Sequence, residues 1–248
     1  MVFLHGWTMT GGIFAPAFDR LADDFDCIAP DLPGHGRSTG LPATVAGGAA
    51  MLGDLLADLE GATLVGWSLG ALVAWAHLDA AGAGRVRAMV SLDMSPRPLP
   101  APGWELHLRG QTAEAARAKT AWFRQDWPAA ASAIAATMFA GPSGAPALSV
   151  EAARARIAAQ DADTMADFWA SLVEADLRAA IARLPVPLLA IHGAESRVYP
   201  PETAEWLAAT APHGQALVIA GAGHAPHLEA PDSVCAAIAR FAANPEFA

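Results

Sequence analysis

The chain has 248 residues, 54% of them hydrophobic, and 25 acidic against 15 basic side chains give it a formal charge of −10. That length suffices to bury one large core, and α/β folds of this size are commonly a single domain. The acidic balance argues against nucleic acid and anionic membrane surfaces as partners, since both demand basic patches. No apolar run reaches 18 residues, and neither HExxH nor Cys-x-x-Cys occurs, so no membrane span and no metal or other cofactor is expected.

In chain order, short β-rich runs at residues 2–5, 26–29, 63–66, 88–92, 187–192 and 216–219 alternate with helical patterns. The helices are expected at 14–23, 45–59, 69–81, 201–209 and 233–243. Such alternation predicts a mostly parallel sheet of about six strands with helices on both faces. Chemistry in such a sheet belongs on the loops at the carboxyl ends of the strands.

The first strand ends in His5-Gly6-Trp7, where the backbone N–H of Trp7 is placed to serve as one oxyanion donor. The His5 side chain is read as structural, tying down its loop. Residues 31–38, Asp-Leu-Pro-Gly-His-Gly-Arg-Ser, form a tight Pro/Gly loop that marks the fold without obvious chemistry.

Gly66-Trp67-Ser68-Leu69-Gly70 follows the third strand and opens an apolar helix. Strand, sharp turn and helix in that order make a nucleophile elbow, with Ser68 as nucleophile and the Leu69 N–H as the second oxyanion donor. Bulky side chains at 66 or 70 would collide with the neighbouring strand or helix. Near the other end, residues 220–227 read Ala-Gly-Ala-Gly-His-Ala-Pro-His, after the last strand. His224 is the expected general base, because Gly221 and Gly223 let its loop approach Ser68; His227 is expected to cap or pack.

Taken together, "LHGW", "DLPGHGRS", "GWSLG" and "GAGHAPHLEAP" resemble the α/β-hydrolase superfamily across nearly the whole chain. The HGW strand end and the tryptophan before the serine resemble small serine carboxylesterases, including those of biotin synthesis that demethylate a pimeloyl-carrier ester. The resemblance implies a core at 1–96 and 184–248, with a helical lid at 97–183. It also implies a hairpin ahead of the HGW strand. Met1 leaves no room for one, so either the sheet edge is exposed or the start codon is misplaced, and a monomer or weak homodimer through that edge is expected.

The family usually carries an aspartate in a stretch like H-G-x-x-D, where this chain reads His192-Gly193-Ala194-Glu195-Ser196. A serine cannot supply the negative charge that steadies an imidazolium. Two carboxylates are candidates. Asp93 ends the strand beside the one that carries Ser68, a position from which some relatives take their acid, and it is preferred; Glu195 is the alternate.

In the lid segment, Trp104, Trp122 and Trp169 are candidates, with Trp67, for lining an apolar acyl pocket, although most apolar lid residues should simply pack helices. Arg109 and Arg124 are candidates for gripping a substrate carboxylate. Lys119 is the one lysine and lies outside the motif loops, which gives a Schiff-base mechanism little support. Cys27 and Cys235 read as free buried thiols, which with the lack of a signal peptide suggests the cytoplasm.

The reading is a hydrolase of small to medium, mostly apolar carboxylic esters. A carbon–carbon bond hydrolase or cofactor-free perhydrolase of the same fold is the alternative, and a non-catalytic ligand receptor a further one.

Overall fold

The computed structural model describes residues 1–244. Strands β1 (Val2–Leu4), β2 (Ala62–Trp67), β3 (Val86–Leu92), β6 (Leu188–Gly193) and β7 (Gly214–Ile219) form one sheet in the order β1-β2-β3-β6-β7, all parallel. A second, two-stranded sheet pairs β4 (Gly144–Ala145) with β5 (Leu148–Ser149). The helices are α1 (Ala15–Leu21), α2 (Val45–Leu56), α3 (Leu69–Ala81), α4 (Ala113–Gln125), α5 (Trp127–Met138), α6 (Val150–Ala158), α7 (Ala162–Val173), α8 (Arg178–Ala182), α9 (Glu202–Thr210), α10 (Pro226–Glu229) and α11 (Pro231–Ala242).

Strands β1, β2 and β6 are buried along their whole length, as parallel strands covered on both faces must be. Side chains alternate across the sheet. Phe3 meets the rings of Phe14 and Phe18 at 5.1 and 5.2 Å on the α1 side. Its neighbour Leu4 lies against Gly70 of α3, on the opposite face. Helices α2 and α8 pack on α3, α9 covers β6 and β7, and α1 pairs with α11.

The expected strand at 26–29 is reduced to a single parallel bridge between Val2 and Ile28, so the sheet has five strands rather than about six. Among the described residues it pairs with the three-residue β1. Two bonds form, Phe3 N–H to the Ile28 carbonyl (2.8 Å) and Ile28 N–H to that of Met1 (3.0 Å), and Pro30 follows without an N–H to extend the ladder. The other edge, β7, leaves Gln215, Ala216 and Val218 exposed.

Between β3 and β6 the chain leaves the sheet, as its loss of strand alternation predicts. Helices α4 and α7 pack together, as do α5 and α6. The Gly/Pro interruption at 141–146 contains β4, which turns back onto β5, a hairpin that sequence patterning did not reveal. No helix among the described residues is long and apolar enough to cross a membrane.

Candidate active site

Register explains why two distant sequence motifs meet. Trp67 of β2 pairs with Leu92 of β3, so Ser68 and Asp93, the next residues, leave the sheet side by side at its carboxyl edge. Both adopt positive φ, 51° and 45°, a conformation uncommon for residues with a side chain and a common device where a group must be aimed. The turn after β2 is tight enough that a Cβ at Gly66 would come within 2.6 Å of the Ala71 nitrogen. One at Gly70 would come within 2.0 Å of the Leu4 carbonyl oxygen.

His224 arrives on the loop after β7. Its Nδ1 is 2.8 Å from Asp93 Oδ1 and its Nε2 is 3.1 Å from Ser68 Oγ. An ionised carboxylate only accepts, so Nδ1 carries the proton and Nε2 presents a lone pair to the serine hydroxyl. Ser68 and His224 are 8% and 9% exposed and Asp93 is fully buried, so these bonds operate away from bulk water.

Asp93 is fixed by more than the histidine. Its Oδ2 accepts the Gly193 N–H (3.0 Å), and its Oδ1 accepts the Ser196 hydroxyl (2.8 Å). The Ser196 oxygen itself receives the N–H groups of Val198 and Tyr199 at 3.3 and 3.4 Å, so its single proton is left for Asp93. Burial, the largest influence, pushes the Asp93 carboxyl up. The neighbouring His192 and His224 rings and the Gly193 amide outweigh it and hold the group below the ordinary aspartate value.

Glu195 is not part of this cluster. Its side chain is exposed, while its N–H donates to the Ala222 carbonyl at 2.9 Å. Leaving β6 after Gly193, the chain turns Ser196 inward and Glu195 outward. In the sequence Ser196 registers only as a missing acid, whereas in the fold it is a donor to Asp93.

The N–H groups of Trp7 and Leu69 have no acceptor among the described residues, and Leu69 opens α3, where first-turn amides lack partners. Two buried histidines steady the Trp7 loop. His5 Nε2 accepts the Leu32 N–H (2.8 Å), and His35 Nε2 accepts the N–H of Thr8 (3.2 Å), which has φ 71°. Burial lowers them to about 3 and about 4, so both are neutral and able to accept. The Pro/Gly loop read only as a fold marker therefore holds the residue next to Trp7.

A cavity of about 260 Å³ opens onto Ser68 and His224. Trp7, Trp67, Trp122 and Trp169 line it, together with Ile134 and Met138. The Trp7 ring lies 5.1 Å from Phe123 and 5.0 Å from Trp169, and its Nε1 donates to the Met165 carbonyl. Trp104 does not reach the cavity. It packs against Trp206 at 4.9 Å, under the Arg178 guanidinium, with its Nε1 bound to the Arg97 carbonyl. Arg124 is paired away with Asp163 and Asp167, whereas Arg109 does line the cavity. His227 packs between Trp67 and Phe14 at 4.7 and 5.1 Å, with no hydrogen-bond partner for its ring among the described residues. Among the described residues no cluster of three or more side chains is suited to holding a metal ion.

The parallel sheet, the positive-φ serine between strand and helix, and the histidine after the last strand define a hydrolase of the α/β class. The profile of the alpha/beta hydrolase family matches residues 1–237, and the chain belongs to that family. It is 34% identical to the pimeloyl-[acyl-carrier protein] methyl ester esterase of Xanthomonas campestris pv. campestris (strain B100), over 98% of this chain and 94% of that one. To the protein of the same name from Stenotrophomonas maltophilia (strain K279a) it is 33% identical, over 98% and 92%. A thermophilic esterase from Thermogutta terrifontis superposes with a TM-score of 0.82 at 26% identity, covering 97% of this chain and 88% of that one. An esterase from Exiguobacterium antarcticum shares the fold with a TM-score of 0.89 at 21% identity, over 97% and 90%.

Proposed function

We propose that the protein is a serine carboxylesterase. The observation that carries this reading is the unbroken chain of hydrogen bonds from Ser68 Oγ through His224 to Asp93, opening on an apolar cavity. As Ser68 Oγ attacks the ester carbonyl, its proton passes to His224 Nε2. The charge that develops on the carbonyl oxygen is received by the N–H groups of Trp7 and Leu69, each typically worth a few kcal/mol because they are fixed beforehand. The imidazolium then protonates the leaving alkoxide. In the second half, Nε2 takes a proton from water as the water attacks the acyl-enzyme and returns it to Ser68 Oγ as the acyl–oxygen bond breaks, so that the acid leaves and the serine is regenerated. Asp93 holds the Nδ1–H tautomer and steadies the cationic ring. None of these steps calls for a cofactor.

The inserted helices that carry Trp122, Ile134, Met138 and Trp169 act as a lid and supply most of the apolar wall. At about 30 Å³ for each water-sized group, the cavity holds roughly nine such groups, the bulk of a small to medium acyl chain. The relatives' names make the methyl ester of a carrier-bound pimeloyl chain a specific substrate to assay. Hydrolysis of p-nitrophenyl esters of graded chain length, beside Ser68→Ala and labelling by a fluorophosphonate, tests the reading. Ester turnover that survives Ser68→Ala, or active protein whose Ser68 resists the probe, would remove it.

A further inference from the structure

Resting on that esterase reading, we infer that the cavity contains a subsite for a carboxylate carried on the acyl chain, with Lys119 as its central cation and Arg109 and Arg197 at its rim. Lys119 is the chain's one lysine. It is half-buried, lines the same cavity as Ser68, and sits 5.7 Å above the Trp169 ring. That ring is held by its Nε1 bond to the Ala116 carbonyl at 2.7 Å.

Charge distribution makes the placement informative. The chain has a net charge of −10, yet among the described residues no aspartate or glutamate lines the cavity, while Arg109, Lys119 and Arg197 do. Several arginines elsewhere are paired with carboxylates, as in Arg117 with Glu174 and Arg183 with Asp79. Among the described residues, no carboxylate pairs with any of the three cavity cations. Arg197 is partly engaged by the Ala136 carbonyl (2.8 Å), which leaves Lys119 and Arg109 the freer groups.

Removal from water lowers Lys119 below its ordinary value, so the bare ammonium is disfavoured where it stands, and an incoming anion would relieve that. A carboxylate entering an apolar cavity without a cation would be strongly disfavoured, so the sign of the substrate's charge preference is diagnostic. The compact carboxylate also suits this half-buried position better than a phosphate dianion, which is costlier to desolvate.

The test compares methyl hydrogen adipate with methyl hexanoate, neutral and of equal acyl length. The wild type should favour the half-ester in kcat/KM by about tenfold, the scale of a charge-assisted hydrogen bond. Lys119→Met should erase the preference and Lys119→Arg should retain most of it. Equal or better turnover of methyl hexanoate by the wild type, or a preference unchanged in Lys119→Met, overturns the proposal.

A calorimetric arm needs no turnover. Ser68→Ala should bind the half-ester more tightly than methyl hexanoate, and Ser68→Ala/Lys119→Met should not. Binding that follows this pattern without any ester hydrolysis would remove the esterase reading and leave the subsite standing. Hydrolysis without charge preference would do the reverse. Competition by inorganic phosphate but not by adipate would overturn the assignment of a carboxylate.

Discussion

The indole Nε1–H of Trp67 donates a 2.7 Å hydrogen bond to the backbone carbonyl of His224. The residue before the serine is thus tied to the loop that brings the imidazole across the sheet, and Trp67, Ser68 and His224 form one closed circuit. Trp67 also lines the cavity, and its bond to the histidine backbone is not legible in the sequence. Trp67→Phe keeps an aromatic ring and deletes the donor. Loss of one such bond is typically worth about 1 kcal/mol of stability. Small misplacements of catalytic groups cost more in rate than in stability, so kcat on a p-nitrophenyl ester should fall roughly tenfold or more with KM little changed. Steady-state kinetics beside a thermal melt checks both; an unchanged kcat would mean that the loop is held by other contacts.

The role proposed for Asp93 has an equally direct test. Asp93→Asn leaves a side chain of the same shape but favours the wrong imidazole tautomer, and kcat should drop by about 10³ to 10⁴. Glu195→Gln should stay near wild type, because that side chain faces solvent. Ser196→Ala, which removes one donor to Asp93 Oδ1, should lower kcat only several-fold, roughly the effect of loosening a single hydrogen bond. A large loss in Glu195→Gln with Asp93→Asn nearly intact would reverse the assignment.

Much of this arrangement was legible in the sequence because its parts are local. The turn that begins at Gly66 and the loop with Gly221 and Gly223 declare themselves through residues that permit tight chain reversal, and α3 runs over the expected 69–81. What was not legible depends on packing between distant segments. Nothing in the pattern at 26–29 reveals that the strand it pairs with has three residues. Whether Ser196 or Glu195 turns inward after β6 depends on a twist of the backbone that neither residue's chemistry dictates. Trp104 and Trp122 look alike in composition and spacing, yet one is covered by Trp206 and the other reaches the cavity.

Buried histidines give the fold a pH dependence whose sign can be stated. His5 and His227 are lowered to about 3 and His35 to about 4, all with burial as the leading cause. Each is neutral in the fold, whereas in the unfolded chain each takes up a proton near its ordinary value of about 6.5. Below about pH 6.5 the unfolded state therefore binds more protons, and each group costs about 1.4 kcal/mol of stability per pH unit until its folded value is reached. His227 is the cleanest case, since its ring packs on Trp67 and Phe14 without a polar partner among the described residues. His227→Phe should flatten the fall in melting temperature between pH 6.5 and pH 4 by one proton's worth of slope. Denaturant melts of both proteins across that range would show it, and parallel curves would count against a neutral buried His227.

At Gly70 the limit is steric. The residue follows Leu69, whose amide is a proposed oxyanion donor, and a Cβ there would stand 2.0 Å from the Leu4 carbonyl oxygen and 2.8 Å from the Leu4 Cβ. The obstruction is the backbone of β1, a strand held between β2 and the Ile28 bridge, so a side-chain rotation cannot relieve it. Gly70→Ala must push α3 away from the sheet, at a cost of about 3 kcal/mol, the upper range for overpacking a core. Because Leu69 begins that helix, the same shift would displace its N–H from the carbonyl oxygen it is proposed to receive. Folded Gly70→Ala should therefore lose kcat as well as stability. Circular dichroism melts paired with single-turnover acylation rates would separate the two losses, and a variant as stable and as fast as wild type would show that α3 is not seated against Leu4 in this way.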